Sequence, residues 1–460
     1  MIAQKLSWVL GVAIVVCAMT PCWARATVAV NVVTNFPAQT GIGSQGGVVF
    51  DSSGNIYGTV QDNGKWQGNN ALGTAWQYTT GGAFNVLGGF SNSTALNPHG
   101  SVVLDSAGDV FGVAQNGGPG QYGSLWMYSP SNSFAGIQVL QTFNNTNGAT
   151  PYGDLIFDAS GQDLWGTTTN GGTNFDGTVF KFSLATHQLT TVVNFSDSTG
   201  IRPEGGLVQD KAGNMYGTTW LSGPGGFGTV FKIPAGTSTL QTLATFDNGV
   251  LANGANPQAA LTIDAAGNLF GTVAAGGANS DGMIFEILAG TQTPIIRASF
   301  NGANGESPSG PMIVDAAGDL FGVTTDGGSN NTGEVFELPA GSNTINGLVS
   351  LSGVAAIGVY PSLTADMNGN LWGTSQQALF EITGSGYVVP EPSGVAIIGA
   401  ALLIVGRRVP RRRKTTHSSV GSASRAVLHQ PLLNGPQVVH RADPTKLSVA
   451  ARDNGGDTHF

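Results

Sequence analysis

The chain has 460 residues, of which 70 are Gly and 21 are Pro, whereas only 10% are charged. Typical soluble domains hold roughly 7% Gly and 25% charged residues, so the composition argues against a helical or a disordered chain. A hydrophobic content of 41% can still bury a core, which predicts a turn-rich, all-β fold. Between Thr27 and Val389 there are 23 acidic residues against six basic ones. Nucleic-acid binding depends on basic patches, so nucleic acid is excluded as a partner.

Residues 1–26 are typical of a secretory signal peptide. Lys5 precedes a short apolar run from Trp8 to Met19, and Ala24 and Ala26 supply a small-x-small cleavage site. The alternative is a membrane anchor, but the run is shorter than the ~20 residues that a spanning helix needs. The two cysteines of the chain are Cys17 and Cys22. Both would be removed with the signal peptide, so disulfides, thiol catalysis and Cys-ligated zinc are excluded for the mature protein.

An internal repeat organises the rest of the chain. Its signature is Asp, two residues, Gly, a polar residue and then an apolar-aromatic-Gly triplet. The seven copies start at Asp51, Asp105, Asp158, Asp210, Asp264, Asp315 and Asp366. Each copy holds four short segments rich in β-branched and aromatic residues and bounded by turn residues, which is typical of strands. Four strands per ~52 residues, repeated seven times, predict a seven-bladed β-propeller over residues 27–383.

The phase of the repeat predicts how the ring closes. A segment of the fourth-strand type, Val28–Phe36, precedes the first complete unit, and the last unit ends after its third strand at Phe380–Ile382. The N-terminal strand is therefore available to complete the seventh blade, which removes the free sheet edges. The rival fold is an open solenoid of the same repeats, which would need terminal caps.

The recurring Asp has two interpretations. Asp-x-x-Gly-Asn is similar to part of a calcium loop, but calcium needs six to eight oxygen ligands from a dense run of carboxylates. Here each unit supplies one Asp, so we favour a structural role in which Asp accepts backbone N–H groups and Gly takes a positive φ. The aromatic-Gly step is interpreted as core packing. The sequence thus predicts neither a metal site nor a cofactor.

Catalytic motifs are weak. The repeat region contains two histidines, His99 and His187, which the propeller arrangement would place on opposite faces. No Ser-His-Asp set stands out, and no blade shows acidic or His residues that depart from the repeat near the axis. The sequence therefore predicts a protein that is not an enzyme. The alternative is an extracellular glycan-active hydrolase or lyase on a propeller scaffold, because folding can bring carboxylates together.

A binding surface is suggested by the loops between second and third strands. In four successive units these loops carry an aromatic residue: Trp66, Tyr122, Phe175 and Phe227. Adjacent blades would align them along one face as a glycan-stacking arc, with Arg202 and Glu204 nearby. The alternative is that these rings pack on their own Gly-rich hairpins.

The C-terminal region carries three elements in a fixed order. Pro390, Glu391 and Pro392 come first, an apolar run over residues 394–406 follows, and an arginine cluster ends at residue 414. This order closely resembles the PEP-CTERM sorting signal of Gram-negative bacteria. The resemblance implies an exosortase as processing partner, export, transient inner-membrane retention through a short transmembrane helix, and release to the surface or an exopolysaccharide matrix. The signal segment is assigned to residues 384–414 and a disordered polar tail to 415–460. An ordinary single-pass anchor is the alternative.

The repeats themselves resemble the GloVer tandem repeats. The matching segments are Gly267–Thr272 and Gly228–Lys232, and the resemblance spans about residues 28–383. The family implies an extracellular repeat protein and supplies no established catalytic residues. Taken together, these features predict an exported cell-surface or matrix protein that binds, or forms a structural part of, exopolysaccharide.

Overall fold

The computed structural model describes residues 27–390 except 63, 67, 93–94, 247–254 and 355–361, and it leaves undescribed the side chains of Trp66 and residues 133–135. The chain divides into two units at Ser393–Gly394, and only the first contains described residues. The predicted signal peptide (1–26), the predicted transmembrane helix (394–406) and the predicted tail lie outside the described residues. Within the described part, no helix has the length and hydropathy to cross a membrane.

The described residues form strands in seven sheets and one additional hairpin. The chain begins with β1 (Ala29–Asn35). Blade 1 contains β2 (Val49–Phe50), β3 (Ile56–Val60), β6 (Thr74–Tyr78) and β7 (Phe84–Gly89), with the hairpin β4 (Gly64–Trp66) and β5 (Asn69–Ala71) between its second and third strands. Blade 2 contains β8 (Leu96–Leu104), β9 (Val110–Asn116), β10 (Ser124–Tyr128) and β11 (Gln138–Thr142), and a 3-10 helix (Pro130–Ala135) precedes β11. Blade 3 contains β12 (Ala149–Pro151), β13 (Ile156–Phe157), β14 (Asp163–Asn170), β15 (Thr178–Ser183) and β16 (Gln188–Asn194).

The remaining blades repeat the same plan. Blade 4 contains β17 (Val208–Gln209), β18 (Met215–Thr219), β19 (Thr229–Ile233) and β20 (Gln241–Thr245). Blade 5 contains β21 (Thr262–Ile263), β22 (Leu269–Val273), β23 (Met283–Ile287) and β24 (Pro294–Ser299). Blade 6 contains β25 (Ile313–Val314), β26 (Leu320–Val323), β27 (Glu334–Leu338) and β28 (Asn346–Ser350). Blade 7 contains β29 (Thr364–Ala365), β30 (Leu371–Thr374) and β31 (Ala378–Thr383).

The seven antiparallel sheets confirm the predicted seven-bladed β-propeller. Strand β1 pairs with β31, with Ala29 opposite Thr383 and Val32 opposite Phe380, so the sheet of blade 7 has the order β1-β31-β30-β29. The prediction that the N-terminal strand closes the ring is therefore confirmed. Closure matters because a blade without its outer strand would expose unpaired backbone groups along β31.

Buried aromatic side chains from the third strands fill the spaces between blades. The set comprises Trp76, Trp126, Phe180, Phe231, Phe285, Phe336 and Phe380. Each ring lies against the Gly that follows the aromatic residue of the second strand; a Cβ added to Gly217, for instance, would lie 2.6 Å from Phe231 Cζ. The Gly of the aromatic-Gly step is therefore required by a close approach within the sheet.

This close approach predicts a stability effect. We expect Gly217→Ala to destabilise the protein by about 1–3 kcal/mol, because the fully buried ring of Phe231 must move. Chemical denaturation would measure the change. Gly81→Ala is the matched control, since the nearest atom to its added Cβ is 3.7 Å away, and its effect should stay within about 0.5 kcal/mol. Equal effects of the two substitutions would contradict this explanation.

The repeated Asp stabilises the turn between first and second strands. Asp51 Oδ1 accepts the N–H groups of Ser53 and Asn55 at 2.8 and 2.9 Å, and Gly54 has a φ of 82°. The same pair of backbone bonds recurs at Asp105, Asp210, Asp264, Asp315 and Asp366. In the third unit, which carries one extra residue, Asp158 accepts the N–H groups of Gln162 and Asp163 instead. These contacts confirm the structural interpretation. Burial alone would raise the pKa of Asp51, but hydrogen bonds from Asn55, Ser53 and Tyr57 outweigh it and hold the pKa below its usual value.

Candidate functional site at the propeller axis

The two faces of the propeller carry different connections. One face carries both the loops from fourth to first strands and the loops from second to third strands. Hydrogen bonds between neighbouring blades connect the two kinds of loop. The N–H of Arg202 donates to Asp176 O at 3.0 Å, and the N–H of Asn256 donates to Phe227 O at 2.9 Å. We call this side the loop face. The opposite side, which carries the Asp-capped turns between first and second strands, is called the turn face.

A repeated strained residue directs each chain segment into the axis. It lies eight residues before the repeat Asp and has a positive φ in every unit where it is described: Gly43, Asn97, Thr150, Arg202, Asn256 and Ser307. In five of these units Pro follows, and it packs on the preceding blade, as Pro203 does on Gly177. A left-handed conformation is costly for residues other than Gly, and such strain concentrates at functional sites. The residues that follow this strained position are therefore candidates for a functional site.

Polar side chains of different kinds surround the axis. They stand six residues before the repeat Asp, and we call them the axial ring: Gln45, His99, Tyr152, Glu204, Gln258 and Ser309. The equivalent position of the seventh unit, Tyr360, lies outside the described residues. Five of the six members, with their neighbours, line a cavity of about 30 Å³ at the centre of the molecule. That volume admits water but no sugar ring, so a larger ligand must lie on the loop-face rim of the ring.

His99 is a deeply buried titratable group of the axial ring. Its side chain is 5% exposed, Nδ1 lies 2.8 Å from Tyr152 O, and its ring lies 3.8 Å from that of Tyr152. Burial lowers the pKa of His99 to about 4, against a smaller opposing effect of the bond to Tyr152. His99 is therefore neutral at pH 7. Because the carbonyl oxygen can only accept, Nδ1 carries the proton and Nε2 is an acceptor.

A carboxyl group lies beside His99 in the same cavity. Asp154 Oδ1 accepts the N–H of Ser101, and Ser101 Oγ in turn accepts the N–H of Gly47 at 2.9 Å. Burial raises the pKa of Asp154, which the hydrogen bonds from Ser101 only partly offset. Three blades are thus connected at the axis by hydrogen bonds that end on a carboxyl group with a raised pKa.

The acidic member of the axial ring is held by a cation. Arg202 Nη2 lies 2.9 Å from Glu204 Oε1, and the guanidinium group covers the ring of Trp220 at 4.2 Å. Glu204 is 5% exposed, whereas the Arg202 side chain is 42% exposed. This ion pair therefore places an exposed charged group at the edge of the axial ring, on the loop face.

The structure places the predicted aromatic arc on the loop face but not at equivalent positions. Tyr122 and Phe227 directly precede the Gly that starts the third strand, whereas Phe175 stands one residue earlier. Phe175 is 64% exposed and Tyr122 is 36% exposed, while Phe227 packs against a buried cluster between blades 4 and 5. Trp66 belongs to β4, and its side chain is not described. Of the three rings that the structure describes, those of Phe175 and Tyr122 are exposed.

Acidic groups also meet in the loops between blades 3 and 4. The pKa of Asp176 is raised by burial and by the nearby carboxylate of Asp197, and Asp197 accepts a hydrogen bond from Ser222 Oγ at 3.1 Å. No group of three or more His, Cys, Asp or Glu side chains with metal-binding geometry occurs among the described residues. The structure therefore adds no metal ligands to the site.

Fold and site together define a closed seven-bladed propeller with a polar site at its axis. The chain belongs to the Gloeobacter/Verrucomicrobia repeat family, whose profile matches residues 15–211 and 201–387. This membership confirms the resemblance to GloVer repeats. A search of curated proteins finds no match.

Solved structures share the fold at low sequence identity. Streptogramin B lyase is 13% identical with a TM-score of 0.53, and the match covers 78% of this chain and 98% of that one. A GH74 enzyme of Niastella koreensis is 15% identical with a TM-score of 0.52, covering 75% and 53%. The extracellular domain of a one component system from B. thetaiotaomicron is 11% identical with a TM-score of 0.52, covering 78% and 40%. At these identities the likeness shows the fold alone.

The prediction that the chain is not an enzyme is wrong on two counts. First, structural neighbours of the propeller include a lyase and a GH74 enzyme, so the fold gives no ground for excluding catalysis. Second, the prediction assumed that no acidic or His residue departs from the repeat near the axis. His99, Asp154 and Glu204 do so in three successive blades. These residues leave no repeat signal, because their positions do not hold one residue type throughout the seven units.

Proposed function

We propose that this chain is an exported propeller that binds a surface or matrix polysaccharide on its loop face. The observation that carries the proposal is the axial ring, in which six described positions of a strict repeat hold five different polar residue types. Folding requires no such diversity, since the Asp turns and the aromatic-Gly steps recur nearly unchanged. A set of unlike donors and acceptors around one point is what recognition of an asymmetric polar ligand needs.

The surroundings of the axial ring favour a carbohydrate. Gln, Ser, Tyr and neutral His side chains can donate and accept hydrogen bonds with hydroxyl groups. Phe175 and Tyr122 add exposed rings on the same face, where they can pack against the apolar faces of sugars. The shallow rim above a 30 Å³ cavity suits a chain that lies across the face.

The proposal includes the route to the surface. The signal-peptide pattern of residues 1–26 supports export, and the order of Pro390-Glu391-Pro392, apolar run and arginine cluster supports sorting by an exosortase with transient retention in the inner membrane. Intact mass of the protein from its native host tests this route. A chain from Thr27 to about residue 390 outside the cell is expected, and a membrane-bound chain that keeps residues 407–460 would contradict it.

Binding should depend on the exposed ring of Phe175. We expect Phe175→Ala to weaken binding of the responsive polysaccharide by about three- to tenfold, in line with the roughly 0.5–1.5 kcal/mol of one exposed aromatic contact. Isothermal titration calorimetry over a panel of neutral and acidic exopolysaccharides would measure it. Leu288→Ala is the matched control, because Leu288 is 45% exposed and lies on the turn face. If both substitutions change affinity equally, the loop face is not the binding surface.

A glycan-active hydrolase or lyase is the second candidate, favoured by the acid and base groups at the axis. A neutral imidazole, a carboxyl group with a raised pKa and a carboxylate paired with Arg202 line one cavity, and such perturbed groups are typical of catalytic sites. Release of reducing or unsaturated ends from the same panel tests this candidate. Asp154→Asn and Glu204→Gln should abolish release, whereas Asp109→Asn on the turn face should not. If wild type releases no ends, the candidate is rejected and binding can still hold.

A further inference from the structure

The chain that follows the last blade lies on the turn face between blades 6 and 7. We call residues 385–389 the strap. The Tyr387 hydroxyl donates to Val314 O at 3.2 Å, and the Tyr387 ring lies 5.4 Å from that of Phe321. Tyr387 is also packed against the hydrophobic cluster between these two blades. The strap therefore fills a groove that the two blades leave open at their rim.

Hydrogen bonds to the Asp turn of blade 6 fix the strap. The N–H of Val388 donates to Asp315 Oδ2 at 3.0 Å, and the N–H of Ala316 donates to Val388 O at 2.9 Å. Within the strap, Gly386 has a φ of 89°. The chain itself thus shows which ligand fits this type of groove: a short segment with one aromatic side chain.

A second groove of the same construction lies one junction further, between blades 7 and 1. The residues that contact the strap are Val314, Asp315, Ala316, Phe321 and Gly369. Their counterparts in the repeat are Ala365, Asp366, Met367, Trp372 and Gly54. All five counterparts line a cavity of about 470 Å³. All five repeat positions correspond, and no described segment of the chain crosses this second groove.

The chemistry of the second groove is that of a recognition site. Phe50 and Trp372 form its wall, with ring centroids 6.0 Å apart, and Met367 at its mouth is 85% exposed. A volume of about 470 Å³ lies within the range typical of ligand pockets, and an exposed Met adapts to different partners. Large exposed apolar side chains beside such a pocket mark an interaction surface.

We propose that the groove between blades 7 and 1 binds a short peptide segment of a partner protein, whose aromatic side chain enters the cavity as Tyr387 enters the neighbouring groove. The backbone of the peptide bonds to Met367, the counterpart of Ala316. Asp366 Oδ2 already accepts hydrogen bonds from Asn370 and Trp372 at 3.2 Å each. The aromatic side chain therefore supplies most of the affinity. This site is separate from the axial ring and independent of polysaccharide binding.

The strap provides the probe for a test. A fluorescent peptide with the sequence of residues 384–390, Gly-Ser-Gly-Tyr-Val-Val-Pro, is titrated with the full-length chain and followed by fluorescence anisotropy. Saturable binding is expected, and replacing the Tyr of the peptide with Ala should abolish it. Met367→Glu should weaken binding at least tenfold, whereas Ala159→Glu, at the equivalent exposed position of blade 3, should leave it unchanged. Circular dichroism verifies that both variants are folded.

Three results would overturn the proposal. The first is absence of saturable binding by the peptide, including the case in which a small apolar dye binds instead. The second is binding that Met367→Glu does not weaken. The third is binding that appears only in a Tyr387→Ala variant, because the peptide would then occupy the groove of the strap and not the groove between blades 7 and 1.

Discussion

Deletion of residues 27–36 is expected to lower the melting temperature by about 10 °C or more, or to abolish a cooperative transition altogether. The segment from Val28 to Val33 contributes to both junctions of blade 7: Val28 and Val30 pack against the cluster between blades 6 and 7, and Val33 packs against the cluster between blades 7 and 1. These three side chains are partly buried, whereas Phe36 in the deleted segment is a buried member of the cluster between blades 7 and 1. Full burial of one such side chain stabilises by about 1.5–3 kcal/mol, so the combined loss is a large part of the stability of a typical protein.

The same deletion exposes the edge of β31, so the truncated chain should also self-associate. Sedimentation velocity would detect this. A synthetic peptide of residues 27–37 added in trans should restore the transition, and a scrambled peptide of equal composition should not. An unchanged melting temperature in the truncated chain would show that closure of the ring contributes little to stability.

Acidification is expected to destabilise the protein by about 3 kcal/mol through His99 alone. The pKa of His99 is lowered from 6.5 to about 4 by burial, so the unfolded chain binds a proton in this range while the folded chain does not. The contribution is therefore fully present above pH 6.5, falls as the pH decreases, and is lost near pH 4. Urea unfolding at a series of pH values would measure the slope.

His99→Gln separates this effect from other titrations, since it should flatten the curve between pH 6.5 and 4. Asp154 acts in the opposite direction. Its pKa is raised in the folded state, so its protonation at low pH stabilises the folded chain. The Asp-capped turns act at still lower pH, because the pKa of Asp51 and that of Asp210 lie below the usual value. If His99→Gln kept the wild-type slope of unfolding free energy against pH, a residue other than His99 would be responsible for the acid sensitivity.

The sequence allowed the fold to be predicted because its repeat carries the constraints of the sheet. Each Asp has to accept the N–H groups of the same kind of turn. Each Gly after an aromatic residue has to leave room for the aromatic ring of the third strand. Such constraints leave identical letters at identical spacing. The pairing of β1 with β31 followed from the phase of the repeat alone.

The axial ring could not be found in the same way. Its members differ from blade to blade because each contacts a different part of one shared cavity, so a search for identities passes over them. A signal was nevertheless present: in five units Pro precedes the variable residue and Gly or Ala follows it. A variable polar residue between two restricted ones would have indicated a site. The convergence of His99 with Asp154 depends on neighbouring blades meeting at the axis, which only the folded structure shows.

The strap also determines the face of the propeller from which the chain continues after the last blade. It ends at Val389 beside Gly369, in the turn between the first and second strands of blade 7, so Pro390 leaves the propeller from the turn face. The last described residues and the axial ring thus belong to opposite faces of the propeller. Under the proposed attachment through the C-terminal segment, the polysaccharide site would not share a face with the point at which the chain leaves the propeller.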